Sequence, residues 1–223
     1  MRKRLAAQGL VKLLSGALTM GLLLFLPAGT LEYPGAWRLL CLFFIPAFVL
    51  GLVLLIVKPE LLAKRLSTRE PEPEQRRALM LSSLIFAASF LLCALDFRFG
   101  WSAVPAWLST AGCVVFLLAC VGFAELLREN EYLSRSVELQ AGQKVVSTGM
   151  YGIVRHPMYA VIIWLFLSMP FIIGSYIGLI PLVFIPYVLV KRILNEEELL
   201  RVGLEGYDEY MQKVRYRLIP FVW

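Results

Sequence analysis

Five long stretches without a single charged residue constrain this chain more than anything else in it. Four of them, residues 13–31, 39–57, 78–95 and 99–124, are 18 to 26 residues long. About 20 mainly apolar residues are needed to cross the roughly 30 Å hydrocarbon core of a bilayer as a helix. Lipid offers no hydrogen-bond partners, so the backbone must satisfy itself within each segment, and the helix does this. Four spanning helices are therefore predicted. Composition agrees: the 223 residues are 59% hydrophobic and 17% charged, against about 25% charged in a soluble domain. The length suits a single membrane domain, residues 1–223.

The fifth run, residues 158–190, holds 33 residues. As one helix it would be about 50 Å long, too long for one crossing, and it is short for two. Pro170, Gly174, Ser175 and Gly178 interrupt its middle, where a turn is expected. The reading is a C-terminal helical hairpin whose two helices are extended by flanking polar residues.

Basic residues test that topology. Four lie in residues 2–12, one in the first loop (Arg38), six in residues 58–77, one in the third loop (Arg98), four between Arg128 and Arg155, and six from Lys191 to Arg217. Such alternation is what the positive-inside rule produces with the N-terminus in the cytoplasm. It also puts both ends of the fifth run on one side, as the hairpin requires. The net charge of +6 is thus accounted for by topology and anionic headgroups, which argues against a nucleic-acid partner. Residues 1–29 have a basic start, an apolar stretch and small residues near Ala28, as a signal peptide does; the second span following closely favours a retained helix. Cys41, Cys93, Cys113 and Cys120 lack metal-ligand spacing and are read as buried packing residues. The stretch "STREPEPEQRR" is read as a solvated connection.

Polar and unusual residues concentrate in residues 125–223, the part expected to carry chemistry. The motif "STGMYGIVRHPMY" contains the only histidine, His156. Its Ser-Thr-Gly is a turn signal. Pro157 fits the first turn of a helix, because its missing N–H has no partner there, so His156 stands at the helix mouth and Tyr159 one turn in. In "VKRILNEEELL", Arg192 and Glu196 are four apart and share a helical face. A hairpin would bring both motifs to one cytoplasmic mouth. Taken singly, each feature also fits a bland role: His156 bonding a backbone carbonyl, Tyr151 and Tyr159 as interface aromatics, Arg192 and Glu196 as a helix pair, and Glu197, Glu198, Glu205, Asp208 and Glu209 as a solvated face.

Together, "GMYGIVRHPMY", "RILNEEELL" and "GYDEYMQKVRYRLIP" resemble the C-terminal signature of the isoprenylcysteine carboxyl methyltransferase family. That family belongs to a broader set of membrane methyltransferases that includes the phospholipid N-methyltransferases. The resemblance covers roughly residues 140–220; the first hundred residues match only as a pattern of spans. It implies an all-α polytopic enzyme with a cytoplasmic pocket for S-adenosyl-L-methionine, built from the C-terminal half. It places Tyr151, His156, Met158, Tyr159 and Glu196 against the cofactor, with Gln143, Lys144, Val145 and Val146 lending backbone and side-chain contacts. Arg192 falls where the family places an arginine serving the methyl-accepting carboxylate. The acceptor implied is lipid-like, a prenylcysteine for example, entering sideways from the bilayer. Eukaryotic members have more spans than are counted here, and the small size resembles prokaryotic members. Three alternatives follow from the same residues: a phospholipid N-methyltransferase, an NADPH-dependent reductase (sterol reductases carry a similar "RHP-x-Y" pattern), and a non-catalytic lipid-binding protein. The last is disfavoured because the four clear runs contain no Asp, Glu, Lys or Arg.

Overall fold

A computed structural model describes residues 2–67, 70, 72–134 and 139–223. The described residues form helices and connecting turns, with no strand among them. Four helices are long and apolar enough to cross a membrane: α1 (Arg2–Ala28), α2 (Pro34–Val57), α4 (Pro73–Phe99) and α5 (Ala106–Glu129). These are the four predicted spans. A short amphipathic helix, α3 (Pro59–Leu66), follows α2.

Boundaries differ from the sequence reading in one place. The uncharged run 99–124 is not one helix. Phe99 ends α4, Gly100 caps it in the left-handed conformation (φ 67°), and α5 starts only after Pro105. Hydropathy does not register a helix stop made by backbone geometry. One consequence is that the helix α4 includes Asp96, which is 1% exposed.

The fifth run folds back, as its charges required. Helix α6 (Pro157–Ile173) ends at Gly174 in the left-handed conformation (φ 103°), and the chain returns through α7 (Leu179–Leu182) and α8 (Ile185–Gly203). The two arms are less alike than a simple hairpin suggests. At 17 residues, α6 is about 25 Å long at 1.5 Å per residue. Helix α8 is apolar only in its first turns and polar thereafter. The arms do not form a close pair of their own: α6 packs chiefly on α5 and α8 on α4. The short α9 (Tyr207–Lys213) follows.

Two polar clamps close the ends of the bundle. At one end, the Tyr33 hydroxyl donates to the Cys93 carbonyl at 3.0 Å. There Asp96 accepts from the Ser102 N–H at 2.6 Å and from the hydroxyls of Ser102 and Ser175, joining α4, its following loop and the hairpin turn. At the other end, Lys58 donates to the carbonyls of Leu127 and Arg128, Lys12 donates to the Leu66 carbonyl, and Gln75 reaches α8. The basic segments 2–12, 58–77, 128–155 and 191–217 therefore meet at one end, as the charge alternation predicted. The apolar core between the clamps is centred on Leu24, Leu39, Phe116 and Ile172, each fully buried.

The cysteines are all free. Cys93 is buried as expected, but Cys41 is exposed on the outer face of α2, where apolar surface faces lipid and a cysteine serves as a small hydrophobe.

Candidate functional site

The chain approaches the site through a turn that admits little variation. Thr148 donates its hydroxyl to Glu129 Oε1 at 2.7 Å, anchoring the segment to the end of α5. Gly149 follows with φ 49°, and a Cβ there would collide with the Glu129 carboxylate. A 3-10 turn, Gly149–Gly152, then swings Tyr151 inward. The Tyr151 hydroxyl accepts from Asn130 Nδ2 at 3.0 Å, and its carbonyl accepts from the Tyr210 hydroxyl at 2.7 Å. Burial outweighs the Asn130 hydrogen bond and pushes the Tyr151 phenol up to about 12, so it stays a neutral donor at physiological pH.

His156 is the residue before the first turn of α6, with Pro157 at the helix start, as the motif predicted. One turn in, the Tyr159 hydroxyl forms the hub of the site. It accepts from Arg192 Nε at 2.9 Å and donates to Glu196 Oε2 at 2.6 Å. Arg192 and Glu196 do share a face of α8, and a phenol from α6 sits between them. Arg192 is also steadied from α4. Gln75, fully buried, donates Nε2 to the Arg192 carbonyl at 3.1 Å and to Asn195 Oδ1 at 2.7 Å. Helix α6 thus holds the guanidinium, and α4 holds the turn of α8 that carries it.

Beneath this hub lies Glu197, 4% exposed. Its Oε1 accepts from Arg155 Nε at 2.7 Å and its Oε2 from Arg217 Nε at 2.8 Å, and His156 Nε2 is 3.3 Å from Oε1. Burial alone would raise the carboxyl pKa. Hydrogen bonds from His156, Arg217 and Arg155 overcome that and lower it to about 2. Arg155 also donates to the carbonyls of Val214 and Arg215, while the backbone N–H groups of Arg155 and His156 bond the carbonyls of Tyr216 and Arg217 at 2.9 Å each. The C-terminal tail is thereby stitched beneath the histidine motif.

These parts enclose a cavity of about 290 Å³, near the lower end of the roughly 300–1,000 Å³ typical of small-molecule sites. All ten residues singled out from the sequence line it: Gln143, Lys144, Val145, Val146, Tyr151, His156, Met158, Tyr159, Arg192 and Glu196. Residues not anticipated line it too, notably Asn130, Tyr132, Arg155, Tyr207 and Tyr210, with Leu199, Leu200 and Leu204 as an apolar wall. The tyrosines of "GYDEY" are three apart, a helical spacing that could have marked them as facing one way.

Two readings need correction. Glu197 is not part of a solvated face but the buried anchor of two arginines and the histidine. The stretch "STREPEPEQRR" is not wholly a solvated connection: Thr68, Arg69 and Pro71 lie outside the described residues, but Glu70 and Gln75 are buried, and Glu72 lines the cavity.

The molecule so described is a polytopic helical membrane protein with a tyrosine-rich polar cavity at one end of its bundle. Residues 110–202, from α5 almost to the end of α8, match the model of the isoprenylcysteine carboxyl methyltransferase (ICMT) family, and over that segment the chain is similar to this family. A comparison with curated proteins gave no match. The matched segment contains every sequence-predicted site residue and stops short of α9 and the tail.

Proposed function

We propose that this protein is an S-adenosyl-L-methionine-dependent methyltransferase that esterifies a carboxylate on a lipid-attached, prenylcysteine-like acceptor. The observation that carries the reading is the meeting of Arg192, Tyr159 and Glu196 at one hydroxyl, in a cavity lined by all ten candidate residues. The donor set suits the cofactor. Five tyrosines, at 132, 151, 159, 207 and 210, offer aromatic faces to a sulfonium cation. Glu196 can accept from a ribose hydroxyl or an ammonium. Leu199, Leu200 and Leu204 can pack a nucleoside ring.

When bound, S-adenosyl-L-methionine supplies an electrophilic methyl group on positively charged sulfur. Arg192 presents the planar guanidinium that holds a carboxylate bidentately. Tyr159 and Gln75 restrict that side chain and its helix turn, so the oxygen it holds is aimed rather than merely attracted; positioning is the main contribution a protein can make to an in-line displacement. No base is needed, since an α-carboxylate has a pKa near 3.5 and is ionised at pH 7. An amine acceptor, by contrast, would require a group to take its proton, a second task for the single histidine beside holding the cofactor. A hydride-transferring role is not what the family match supports.

The positive-inside pattern supports a cytoplasmic position for the cavity, with the acceptor's lipid chain entering from the bilayer in this reading. The test uses purified full-length protein. Glu196→Ala is expected to lose most affinity for S-adenosyl-L-methionine. Arg192→Ala is expected to retain the cofactor and lose turnover of a prenylcysteine acceptor. Unchanged cofactor affinity in Glu196→Ala, or joint loss of both properties in Arg192→Ala, contradicts the division of roles.

A further inference from the structure

The charge cluster on the cavity floor has no part in the displacement proposed above, yet it governs what the cavity can offer a ligand. The Glu197 side chain is 5% exposed and pinned by Arg155 and Arg217. Both guanidiniums keep it ionised, and an ionised carboxylate has only lone pairs to present. The imidazole nitrogen facing it, His156 Nε2 at 3.3 Å, must therefore carry a hydrogen. In a neutral imidazole the other nitrogen is then bare and can only accept. His156 Nδ1 makes no hydrogen bond among the described residues, and its ring lines the cavity. The ring has little room to exchange its nitrogens: its side chain is 4% exposed, its backbone N–H is tied to the Arg217 carbonyl, and the Tyr159 ring packs 5.8 Å away.

We infer that Glu197 is a positioning residue that fixes His156 as a hydrogen-bond acceptor toward the cavity, so that a primary ammonium of the ligand seats at Nδ1 and the ligand's carboxylate seats elsewhere. A carboxylate at Nδ1 would face lone pair against lone pair. An ammonium has three hydrogens to give. The identity of the ligand rests on the S-adenosyl-L-methionine reading; the tautomer does not.

The chain has a single histidine, so histidine-labelled full-length protein in nanodiscs gives one imidazole in nitrogen NMR. At pH 8 the expected spectrum has a protonated Nε2 and an unprotonated Nδ1. The opposite tautomer overturns the inference. In Glu197→Gln, where an amide can donate as well as accept, the Nδ1–H form should appear; an unchanged tautomer there removes Glu197 from its role. If that variant does not fold, Glu197→Asp takes its place: it keeps an acceptor-only carboxylate, so the Nε2–H form should persist, and its loss there overturns the inference.

The ligand arm compares S-adenosyl-L-methionine with its deaminated and decarboxylated analogues in calorimetry. His156→Ala should weaken the parent and the decarboxylated analogue by about tenfold, the scale of one charge-assisted hydrogen bond. It should leave the deaminated analogue unchanged. Equal losses for all three, or a loss confined to analogues that keep the carboxylate, overturn the ammonium assignment. If none of the three binds wild-type protein, the cofactor reading fails, and the tautomer measurement still decides the role of Glu197.

Discussion

At the residue scale, the account turns on a few buried polar atoms whose partners are specific. Glu197 gives a sign that can be worked out. Its folded pKa, about 2, lies below the ordinary value of 4.5, so the folded state holds the proton less tightly. The associated stability is fully present above about pH 4.5 and is lost as pH falls toward 2. A shift of that size corresponds to about 3 kcal/mol. Thermal unfolding in detergent should therefore show a melting temperature that drops between pH 5 and pH 3. Glu197→Gln should be less stable at pH 7 by about 3 kcal/mol, because the buried Arg155 and the half-buried Arg217 lose their counter-charge, and should show a flatter acid limb. An identical acid limb in wild type and variant would mean that other carboxylates control acid unfolding. Tyr159→Phe tests the hub. Removing the hydroxyl separates Arg192 from Glu196 and should reduce turnover by about 10- to 100-fold, or about 1.4 to 2.7 kcal/mol, with the helical spectrum unchanged.

Glu197 also shows where sequence reasoning stops. In "NEEELL" three glutamates follow one another, and nothing in their chemistry separates them. Glu196 reaches the Tyr159 hydroxyl, Glu197 reaches Arg155 and Arg217, and Glu198 is exposed. Successive helical residues lie about 100° apart around the axis, so the distinction is set by the phase of α8 against α6 and the tail. That is tertiary information. His156, Pro157 and Tyr159 were legible because helix-start chemistry is local. Gln75 was not, because its partners lie on α8, more than a hundred residues away in sequence.

At the element scale, the spans were legible because lipid enforces uniform hydropathy over a fixed length. The fold-back of residues 158–190 was legible because charge placement fixes which ends lie together. The order of packing was not. No pattern in the sequence says that α4 lies against α8 while α6 lies against α5. That choice depends on where backbones can come close. Gly35, at the start of α2, is one such place: a Cβ there would collide with the Ile173 carbonyl at the end of α6. Gly35→Ala is expected to destabilise the protein by about 1–3 kcal/mol, the usual range for overpacking, and to lower the melting temperature in detergent. Gly51, whose Cβ position is open, is the control: Gly51→Ala should be neutral or slightly stabilising, since alanine favours a helix interior by about 1 kcal/mol. Equal effects at both sites would show that α2 and α6 do not make this contact.

At the scale of the whole molecule, the two ends of the bundle have different roles. The end held by Asp96, Ser102 and Ser175 is a closed structural clamp. The other end gathers the basic segments, the histidine motif, the polar half of α8 and the tail around a cavity. Apolar side chains cover the outside: Leu84, Leu118, Trp164 and Val183 are all exposed, as lipid-facing surface should be. A site at one end of a membrane bundle suits the proposed acceptor, whose carboxylate would reach Arg192 while its lipid chain stays in the bilayer. The most direct test of this account is the chemical nature of the product. Purified protein in nanodiscs is supplied with methyl-labelled S-adenosyl-L-methionine and either a prenylcysteine or phosphatidylethanolamine. The predicted result is label on the prenylcysteine alone, released as volatile methanol by mild base because it sits in an ester, and absent in Arg192→Ala. Base-stable label on the amine lipid, with none on the prenylcysteine, would contradict it.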